Sequence, residues 1–281
     1  MGWTADSKAV IFHSNRNGSW GIFKQLLGQE TPEAVVMGTE DLAPASSVLS
    51  PDGSSLIYTL LPKDNGGASS LPGQIMRIPI TGGVPQPLMT ALLSGPPRCS
   101  KSQVALCVIA ERTPDRAQLI FTRLDPMKGR GPELTRVVVD PSENYSWDLS
   151  SDGTRIAVAR EAGRRFDILS LEGRATQTIT VKGWDIGVDM RIGGYDLRGV
   201  DFDWAADGKG LLISGRTPQK SALLYVDLQG NAHVLREQKG GLSPTIRGGF
   251  PVRWGVPSPD GRHVALLNWN RNSNVWMMDD F

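Results

Sequence analysis

The sequence has few of the residues from which metal centres and disulfide scaffolds are built. Its 281 residues include only two cysteines and three histidines. The cysteines, Cys99 and Cys107, are too few for a disulfide framework and lack the Cys-x-x-Cys spacing of a zinc knuckle. The histidines, His13, His233 and His263, never form a His-x-x-x-His pair, and we interpret them as packing or edge residues. We therefore expect neither a metal nor a cofactor.

An excess of one charge and long apolar runs are also missing. The chain has 30 Lys and Arg against 29 Asp and Glu, a formal net charge of +1. This balance gives no general attraction to nucleic acid or to an anionic membrane. The apolar run at 104–110 is far shorter than the roughly 18 residues that a membrane helix needs, and residues 1–20 contain no signal-peptide core. These absences predict no nucleic-acid binding and no membrane insertion by this chain.

The sequence does contain an internal repeat, built around Asp-Gly turns between two apolar runs. The turn aspartates are Asp6, Asp52, Asp152, Asp207 and Asp260. The interval from Asp52 to Asp152 is about twice the others, so it contains a degenerate copy near residue 101 that has lost its Asp-Gly. Proline, aspartate and glycine each favour a tight turn. Because these aspartates serve every repeat alike, we interpret them as structural turn residues rather than ligands.

The repeat predicts an all-β fold. A second apolar run follows each turn after 10 to 20 residues, and with flanking segments such as 84–89 it completes a unit of strands A to D. Six units of about 47 residues match the period of β-propeller blades. We therefore expect one domain over 1–281, a six-bladed β-propeller of four-stranded antiparallel blades whose last blade lacks strand D. The expected blades are approximately 1–40, 41–93, 94–142, 143–196, 197–245 and 246–281.

The repeat resembles that of TolB-like, WD-repeat-like bacterial β-propellers, in which an aromatic residue precedes Ser-Pro-Asp-Gly and Ile-Ala-Phe follows it. Segments 14–18, 129–136, 204–210 and 272–277 are similar to the carboxy-terminal propellers of bacterial transmembrane regulators with a winged-helix or serine/threonine kinase part in the cytoplasm. The resemblance implies an extracytoplasmic, periplasmic sensor or protein-contact domain without catalysis. Because the chain starts within strand A of its first unit, we expect a domain excised from a longer protein.

Catalytic motifs are missing as well. The sequence has no Gly-x-Ser-x-Gly nucleophile elbow and no Gly-x-x-x-x-Gly-Lys-Ser/Thr phosphate loop. We therefore expect no enzymatic activity and no catalytic residue. A propeller can also bring side chains of several blades together at its channel, and such a site leaves no local motif. An enzyme with a channel-centred site, or the propeller domain of a hydrolase, is the alternative.

Cys99 and Cys107 fall on strands A and B of the degenerate third unit. We favour two buried free thiols, since free cysteine is among the most buried residue types. A cross-strand disulfide that substitutes for the lost Asp-Gly turn is the alternative, provided that the two Cα atoms lie within about 7 Å.

Connection lengths predict which end of the blades binds a partner. In an antiparallel blade the B–C and D–A connections share one end, and the A–B and C–D turns share the other. The long segments 61–73, 182–199 and 237–251 all belong to the first set, which we call the long-loop face. The opposite turns are short except 125–132. Binding residues concentrate on long loops held by a rigid scaffold.

Arginine and aromatic residues on this face are the candidate partner-binding residues, because both are enriched in interface hot spots. They are Arg16, Trp184, Arg191, Tyr195, Arg198 and Arg271. Arg16 and Arg271 lie in near-identical loops of the first and last units, which ring closure would make neighbours. Asn and Gly in these loops also suit plain hairpin turns, and that explanation stays open. We expect a protein or peptide partner and a monomeric chain.

Overall fold

The computed structural model describes residues 1–63, 72–101, 105–143, 145–173, 176–184, 191–192, 195–196, 200–216, 220–239, 255–268 and 274–279. The chain divides into two compact units, Met1–Pro141 and Ser142–Phe281, and each is described by itself. Both are built from antiparallel strands. Over the described ranges, no helix has the length and apolar character needed to cross a membrane.

Unit 1 contains three sheets of four antiparallel strands, each with its strands in chain order. Blade 1 comprises β1 (Gly2–Trp3), β2 (Ala9–Ser14), β3 (Gly21–Leu26) and β4 (Glu33–Met37). Blade 2 comprises β5 (Leu42–Leu49), β6 (Ser55–Pro62), β7 (Gly73–Pro79) and β8 (Gln86–Ala91). Blade 3 comprises β9 (Arg98–Cys99), β10 (Cys107–Arg112), β11 (Gln118–Asp125) and β12 (Gly129–Val138).

Unit 2 contains two further four-stranded sheets, a two-stranded ribbon and a three-stranded terminal sheet. Blade 4 comprises β13 (Trp147–Leu149), β14 (Arg155–Arg160), β15 (Arg165–Ser170) and β16 (Thr176–Thr180). The ribbon comprises β17 (Arg191–Ile192) and β18 (Tyr195–Asp196). Blade 5 comprises β19 (Phe202–Trp204), β20 (Gly210–Arg216), β21 (Lys220–Asp227) and β22 (Ala232–Lys239). The terminal sheet comprises β23 (Gly255–Pro257), β24 (His263–Asn268) and β25 (Asn274–Asp279).

The four-stranded antiparallel unit predicted from the repeat is confirmed, but the count of six such blades is wrong. The described residues form five, and the sixth copy is the three-stranded terminal sheet. The sequence counts this copy as a blade because its Asp260 turn and the apolar runs on either side match the other copies. The repeat motif specifies only the strands next to the turn, so it cannot report how many strands complete a sheet.

The expected long turn at 125–132 is also absent. Strand β12 already begins at Gly129, so the C–D turn of blade 3 spans only 126–128. The pairing of β11 with β12 shifts register between Thr122 and Leu124, a bulge that accommodates Pro132 on the outer strand. Glycine and proline made this stretch resemble a loop, whereas an edge strand tolerates both.

A carboxylate closes the A–B turn in every described sheet of this repeat except blade 3. Asp52 Oδ1 accepts the Ser54 backbone N–H at 3.1 Å and the Ser50 hydroxyl at 2.5 Å, and Ser50 Oγ accepts the Ser55 N–H at 3.0 Å. The aspartates at the equivalent positions accept the same backbone hydrogen bond: Asp6, Asp152, Asp207 and Asp260. Gly53 adopts φ 70°, a conformation that suits glycine. These bonds are local, so the turn forms wherever the motif occurs.

Inner and central strands bury both faces, which explains their continuous apolar runs. Val108, Ile109 and Ala110 of β10 are fully buried. In unit 2, the ring of Phe166 in blade 4 packs edge-on against Phe202 in blade 5, with centroids 4.9 Å apart. A cluster of buried residues that includes both rings joins the two blades.

A buried hydrogen-bonded pair also joins blades 4 and 5. Asp148 and Trp204 are 6% and 1% exposed. Asp148 Oδ2 accepts the Trp204 backbone N–H at 3.0 Å, and the Asp148 carbonyl accepts the indole N–H at 3.3 Å. The pair therefore fixes the inner strand β19 against β13.

Cys99 and Cys107 form a disulfide, so our preference for free thiols is wrong. The register pairs Cys107 with Cys99 and Val108 with Arg98, and the two Cα atoms are 4.0 Å apart. Both cysteines are buried, in a core cluster of blades 2 and 3. Strand β9 has only two residues, and the disulfide links it covalently to β10 in the one blade that lacks the Asp turn.

Candidate functional site

The long-loop face is described in part in each unit. In unit 1 the described B–C and D–A connections are 15–20, 38–41, 92–97 and 113–117. In unit 2 they include 161–164 and 181–184, with the ribbon following. Because consecutive strands are antiparallel, these connections share one end of their blades.

Arg16 lies on the tight loop between β2 and β3. The loop is closed by the Gly18 N–H, which donates to the Asn15 carbonyl at 2.9 Å. Arg16 Nε donates to Ser14 Oγ at 3.3 Å. Its guanidinium carbon lies 5.0 Å and 5.3 Å from the ring centroids of Phe12 and Phe23. Arg16, whose role the sequence left open, therefore has a defined position at the surface.

The aromatic base beneath Arg16 is a cross-strand pair. Phe12 and Phe23 are directly opposite each other in the pairing of β2 with β3, and their rings stack with centroids 6.0 Å apart. Both rings are buried. The sequence marks both as strand residues, but only the register reveals that they form one surface under the arginine.

Trp20 is a candidate that sequence reasoning missed. It lies on the same loop as Arg16, and 47% of its surface is exposed. Its carbonyl accepts the Gly38 N–H at 2.8 Å, so its backbone is fixed to the D–A connection 38–41. The sequence signal was a tryptophan within a turn sequence. An indole outside a strand has no predicted buried face to pack on, which indicates an exposed apolar residue.

Trp184, predicted as a partner-binding residue, is partly buried. It packs against the core cluster that joins blades 4 and 5. Gly215 of β20 makes room for the indole, because a Cβ at that position would lie 2.7 Å from Trp184 Nε1. Part of the Trp184 side chain thus stabilises unit 2, and the remainder is available at the surface.

A buried ion pair supports the long-loop end of blade 4. Arg160 Nε lies 2.8 Å from Asp167 Oδ2, and only 11% and 15% of the two side chains are exposed. Thr178 donates a hydroxyl hydrogen bond to the Asp167 carboxylate at 3.2 Å. The Arg160 guanidinium lies 5.0 Å from the centroid of Tyr145. The sequence marked 160–165 as a charged loop but did not indicate that Arg160 and Asp167 pair across β14 and β15.

The connection 161–164 has a strained backbone and is closely packed. Glu161 and Ala162 adopt φ of 50° and 56°, which is uncommon for residues with a Cβ. A Cβ on Gly163 would lie 2.8 Å from Val200, so this loop packs closely on the segment that leads into β19. Arg165 continues the surface, with Nη1 2.8 Å from Glu161 Oε1.

The remaining predicted residues are only partly within the described chain. In the ribbon the register places Arg191 opposite Asp196 and Tyr195 opposite Ile192. This ribbon was not predicted, since 182–199 was taken as a loop. Arg198 and Arg271 lie outside the described residues. Arg16 belongs to unit 1 and Trp184 to unit 2, so the grouping of the six residues stays a prediction.

At the opposite end of the blades, the turn carboxylates accept hydrogen bonds from groups of their own turns. The Thr4 hydroxyl and the Lys8 N–H hold the pKa of Asp6 below its ordinary value, and the Ser50 and Ser54 hydroxyls do the same for Asp52. At Asp152 burial raises the pKa, but hydrogen bonds from Ser150 and Thr154 outweigh it and the net shift is downward. Among the described residues, no three His, Cys, Asp or Glu side chains converge closely enough to hold a metal ion.

No known family model matches the sequence, and no curated protein matches it. Solved structures do share the fold. The chain is similar to TolB from Acinetobacter baumannii, with 14% identity and a TM-score of 0.66, covering 96% of this chain and 60% of TolB. A putative TolB from Agrobacterium tumefaciens has 17% identity and a TM-score of 0.59, covering 99% and 88% of the two chains. An oligogalacturonate lyase in complex with manganese has 13% identity and a TM-score of 0.53, covering 99% and 73%.

These similarities establish the fold, an all-β, TolB-like β-propeller of four-stranded antiparallel blades. The chain spans about 60% of the length of the Acinetobacter TolB. At such identities they carry no information about activity, substrate or partner.

Proposed function

We propose that the chain is a non-catalytic binding or sensing propeller of a bacterial envelope protein and that it contacts a protein or peptide through its long-loop face. The proposed contact residues are Arg16, Trp184, Arg191, Tyr195, Arg198 and Arg271, to which the structure adds Trp20. The TolB-like fold supports a binding role but does not decide it.

The observation that carries the proposal is a chemical difference between the two ends of the blades. At the A–B turns the aspartate carboxylates accept hydrogen bonds within the turn itself. At the long-loop end, an arginine and a tryptophan are exposed on a loop that hydrogen bonds and packing hold in place. Arg and Trp side chains on a loop whose backbone is held in place favour binding, because less conformational entropy is lost when a partner docks.

The disulfide supports an extracytoplasmic location. Disulfides persist in oxidising compartments and are rare in the reducing bacterial cytosol. We expect Cys99 and Cys107 to be fully oxidised in cells that express the protein. Trapping with a thiol-reactive mass tag checks this, and a reduced pair in rapidly quenched cells would contradict the location.

Site-specific photo-crosslinking tests the choice of face. A photoreactive amino acid replaces Asn17 or Arg164 at the long-loop end, and Lys8 or Lys209 at the opposite turns, all four of which are exposed. In envelope extract we expect Asn17 and Arg164 to give a common, reproducible adduct and the other two to give none. Adducts confined to Lys8 and Lys209 would move the site to the opposite face.

An enzyme with a channel-centred site is the second candidate, favoured by the likeness to the manganese-containing lyase. Titration with Mn²⁺ in a calorimeter distinguishes the candidates. We expect no saturable binding by the chain, whereas one tightly bound ion per chain would favour the enzyme.

A further inference from the structure

Arg16 is a positioned arginine that has no acidic partner among the described residues. The arginines that form ion pairs with carboxylates include Arg130, Arg136, Arg155, Arg160 and Arg165. Arg16 is held instead by Ser14 and by the two phenylalanine rings, and no described carboxylate lies within ion-pair distance of it. No carboxylate of the described residues therefore compensates the charge of this guanidinium.

The hydrogen-bond donors of Arg16 are available at the surface. Its Nε–H donates to Ser14 Oγ. The two phenylalanine rings contact the guanidinium, and the described contacts include no N–H···ring hydrogen bond. The residue is exposed, and its two terminal nitrogens donate to no acceptor among the described residues. A guanidinium binds a carboxylate edge-on through two parallel N–H···O bonds, and the terminal nitrogens retain the donors for such bonds.

Trp20 provides an apolar surface on the same loop. Its indole is 47% exposed, although its backbone is fixed by Gly38. An exposed indole on a loop that also carries an arginine is typical of interface anchors, because burying its apolar surface stabilises a complex. The chemistry of the loop therefore suits a ligand with a carboxylate beside an apolar side chain.

The neighbouring connection limits how acidic that ligand can be. Glu40 and Asp41 are exposed on the connection 38–41, which begins where Gly38 bonds to Trp20. A polyacidic segment would meet these carboxylates and be repelled. One carboxylate flanked by apolar residues fits the loop better than an acidic run.

We infer that Arg16 and Trp20 form the anchor for a single carboxylate and its apolar neighbour in a peptide segment of the partner. This inference rests on the proposed function. The carboxylate belongs either to a Glu or Asp side chain or to a chain terminus, and both present the same two oxygens to the guanidinium.

Defined peptides test the inference on the full chain. The probes are acetyl-Leu-Glu-Leu-amide, acetyl-Leu-Gln-Leu-amide and acetyl-Leu-Gln-Leu with a free carboxyl terminus. Binding is followed by NMR at the Arg16 Nε–H and the Trp20 indole N–H. We expect at least one carboxylate probe to shift both resonances with millimolar affinity and the neutral amide to shift neither. The first and third probes separate a side-chain carboxylate from a terminal one.

Variants assign the effect to these residues. Arg16→Gln should weaken binding of the carboxylate probe roughly tenfold or more, and Arg16→Lys several-fold because it loses bidentate geometry. Trp20→Ala should also weaken it. Arg236→Gln is the matched control, since Arg236 is exposed on β22 with no described contact to an aromatic ring. Each variant is checked for an unchanged melting temperature.

Three results would overturn the inference: equal shifts with the neutral amide, equal loss in Arg236→Gln and Arg16→Gln, or no shift with either carboxylate probe. If Arg16→Gln alone fails to fold, the probe comparison on the wild-type chain still decides. A partner that crosslinks at Asn17 yet binds Arg16→Gln normally would refute this anchor and leave the proposed function standing. Crosslinks only at the opposite turns would refute the proposed function itself.

Discussion

At the residue scale, the turn aspartates predict how stability depends on pH. The pKa of Asp52 is held below its ordinary value by the Ser50 and Ser54 hydroxyls and the Ser54 N–H. A carboxyl whose folded pKa is lowered stabilises the fold above its unfolded pKa of about 4, and this contribution is lost as pH falls through the folded pKa. Asp6 behaves in the same way.

We therefore expect the melting temperature to decrease as the pH drops below about 4. The decrease should be smaller in the Asp52→Asn variant. Asp41→Asn is the control, because the exposed Asp41 carboxylate makes no turn hydrogen bond among the described residues. Thermal unfolding from pH 7 to pH 2 measures both. An equal pH dependence in wild type and Asp52→Asn would show that the turn carboxylate does not contribute.

The buried Asp148 gives a second prediction at this scale. Replacing it by Ala leaves the Trp204 backbone N–H buried without its acceptor, which costs about 1–3 kcal/mol. Asp148→Asn keeps an oxygen in place and should lose less. Chemical denaturation measures both variants, and equal losses would mean that the hydrogen bond is not what joins β13 to β19.

The residue scale also shows where sequence reasoning succeeds and fails. The Asp52 turn could be predicted because all its hydrogen bonds join residues within five positions. The base beneath Arg16 could not, because it depends on the register that places Phe12 opposite Phe23. Trp184 was predicted as a partner-binding residue, yet the space left by Gly215, 31 residues later in the sequence, lets it pack inward.

At the element scale, the disulfide in blade 3 replaces a turn. Closing a loop of this size stabilises a fold by about 2.5 kcal/mol in the chain-entropy estimate. We expect reduction, or Cys99→Ala combined with Cys107→Ala, to lower the free energy of unfolding by a comparable amount. Denaturation with and without reductant measures it. The double variant should not respond to reductant, and an unchanged stability on reducing the wild type would contradict this role for the disulfide.

A glycine turn covers the outer strand of blade 4. The Lys182 N–H donates to the Gly230 carbonyl at 2.8 Å, and a Cβ on Gly230 would lie 2.1 Å from the Thr180 carbonyl oxygen. Gly82 has nearly the same φ, 89° against 88°, but nothing within 4 Å of its Cβ position.

Comparing alanine variants of Gly82 and Gly230 separates the effect of a steric contact from the effect of backbone strain. Gly82→Ala should lower the free energy of unfolding by about 1–2 kcal/mol, because alanine is strained in the left-handed conformation. Gly230→Ala should lower it clearly more, because the turn must also move away from β16. Equal losses in denaturation experiments would show that the Gly230 turn is not held against Thr180.

At the scale of the whole molecule, the sequence predicted the repeating sheet but not the two-stranded ribbon of unit 2. The Asp turn and the two strands beside it recur in every copy except the third, which makes the repeat visible. The three strands described in the terminal sheet agree with the expectation that the last copy lacks strand D, whereas the ribbon between blades 4 and 5 depends on a pairing that the motif does not encode. The end of the blades that binds was predicted from connection lengths, and that choice is still a prediction.

Hydrogen exchange on the chain, alone and with the partner that crosslinking isolates, tests the central claim most directly. Amides of 15–20, 38–41 and 161–164 should exchange more slowly in the complex, because a bound segment covers their solvent-exposed groups. The A–B turns at 50–54, 150–154 and 205–209 should exchange equally in both states. Slower exchange confined to those turns, with the long-loop connections unchanged, would contradict the account.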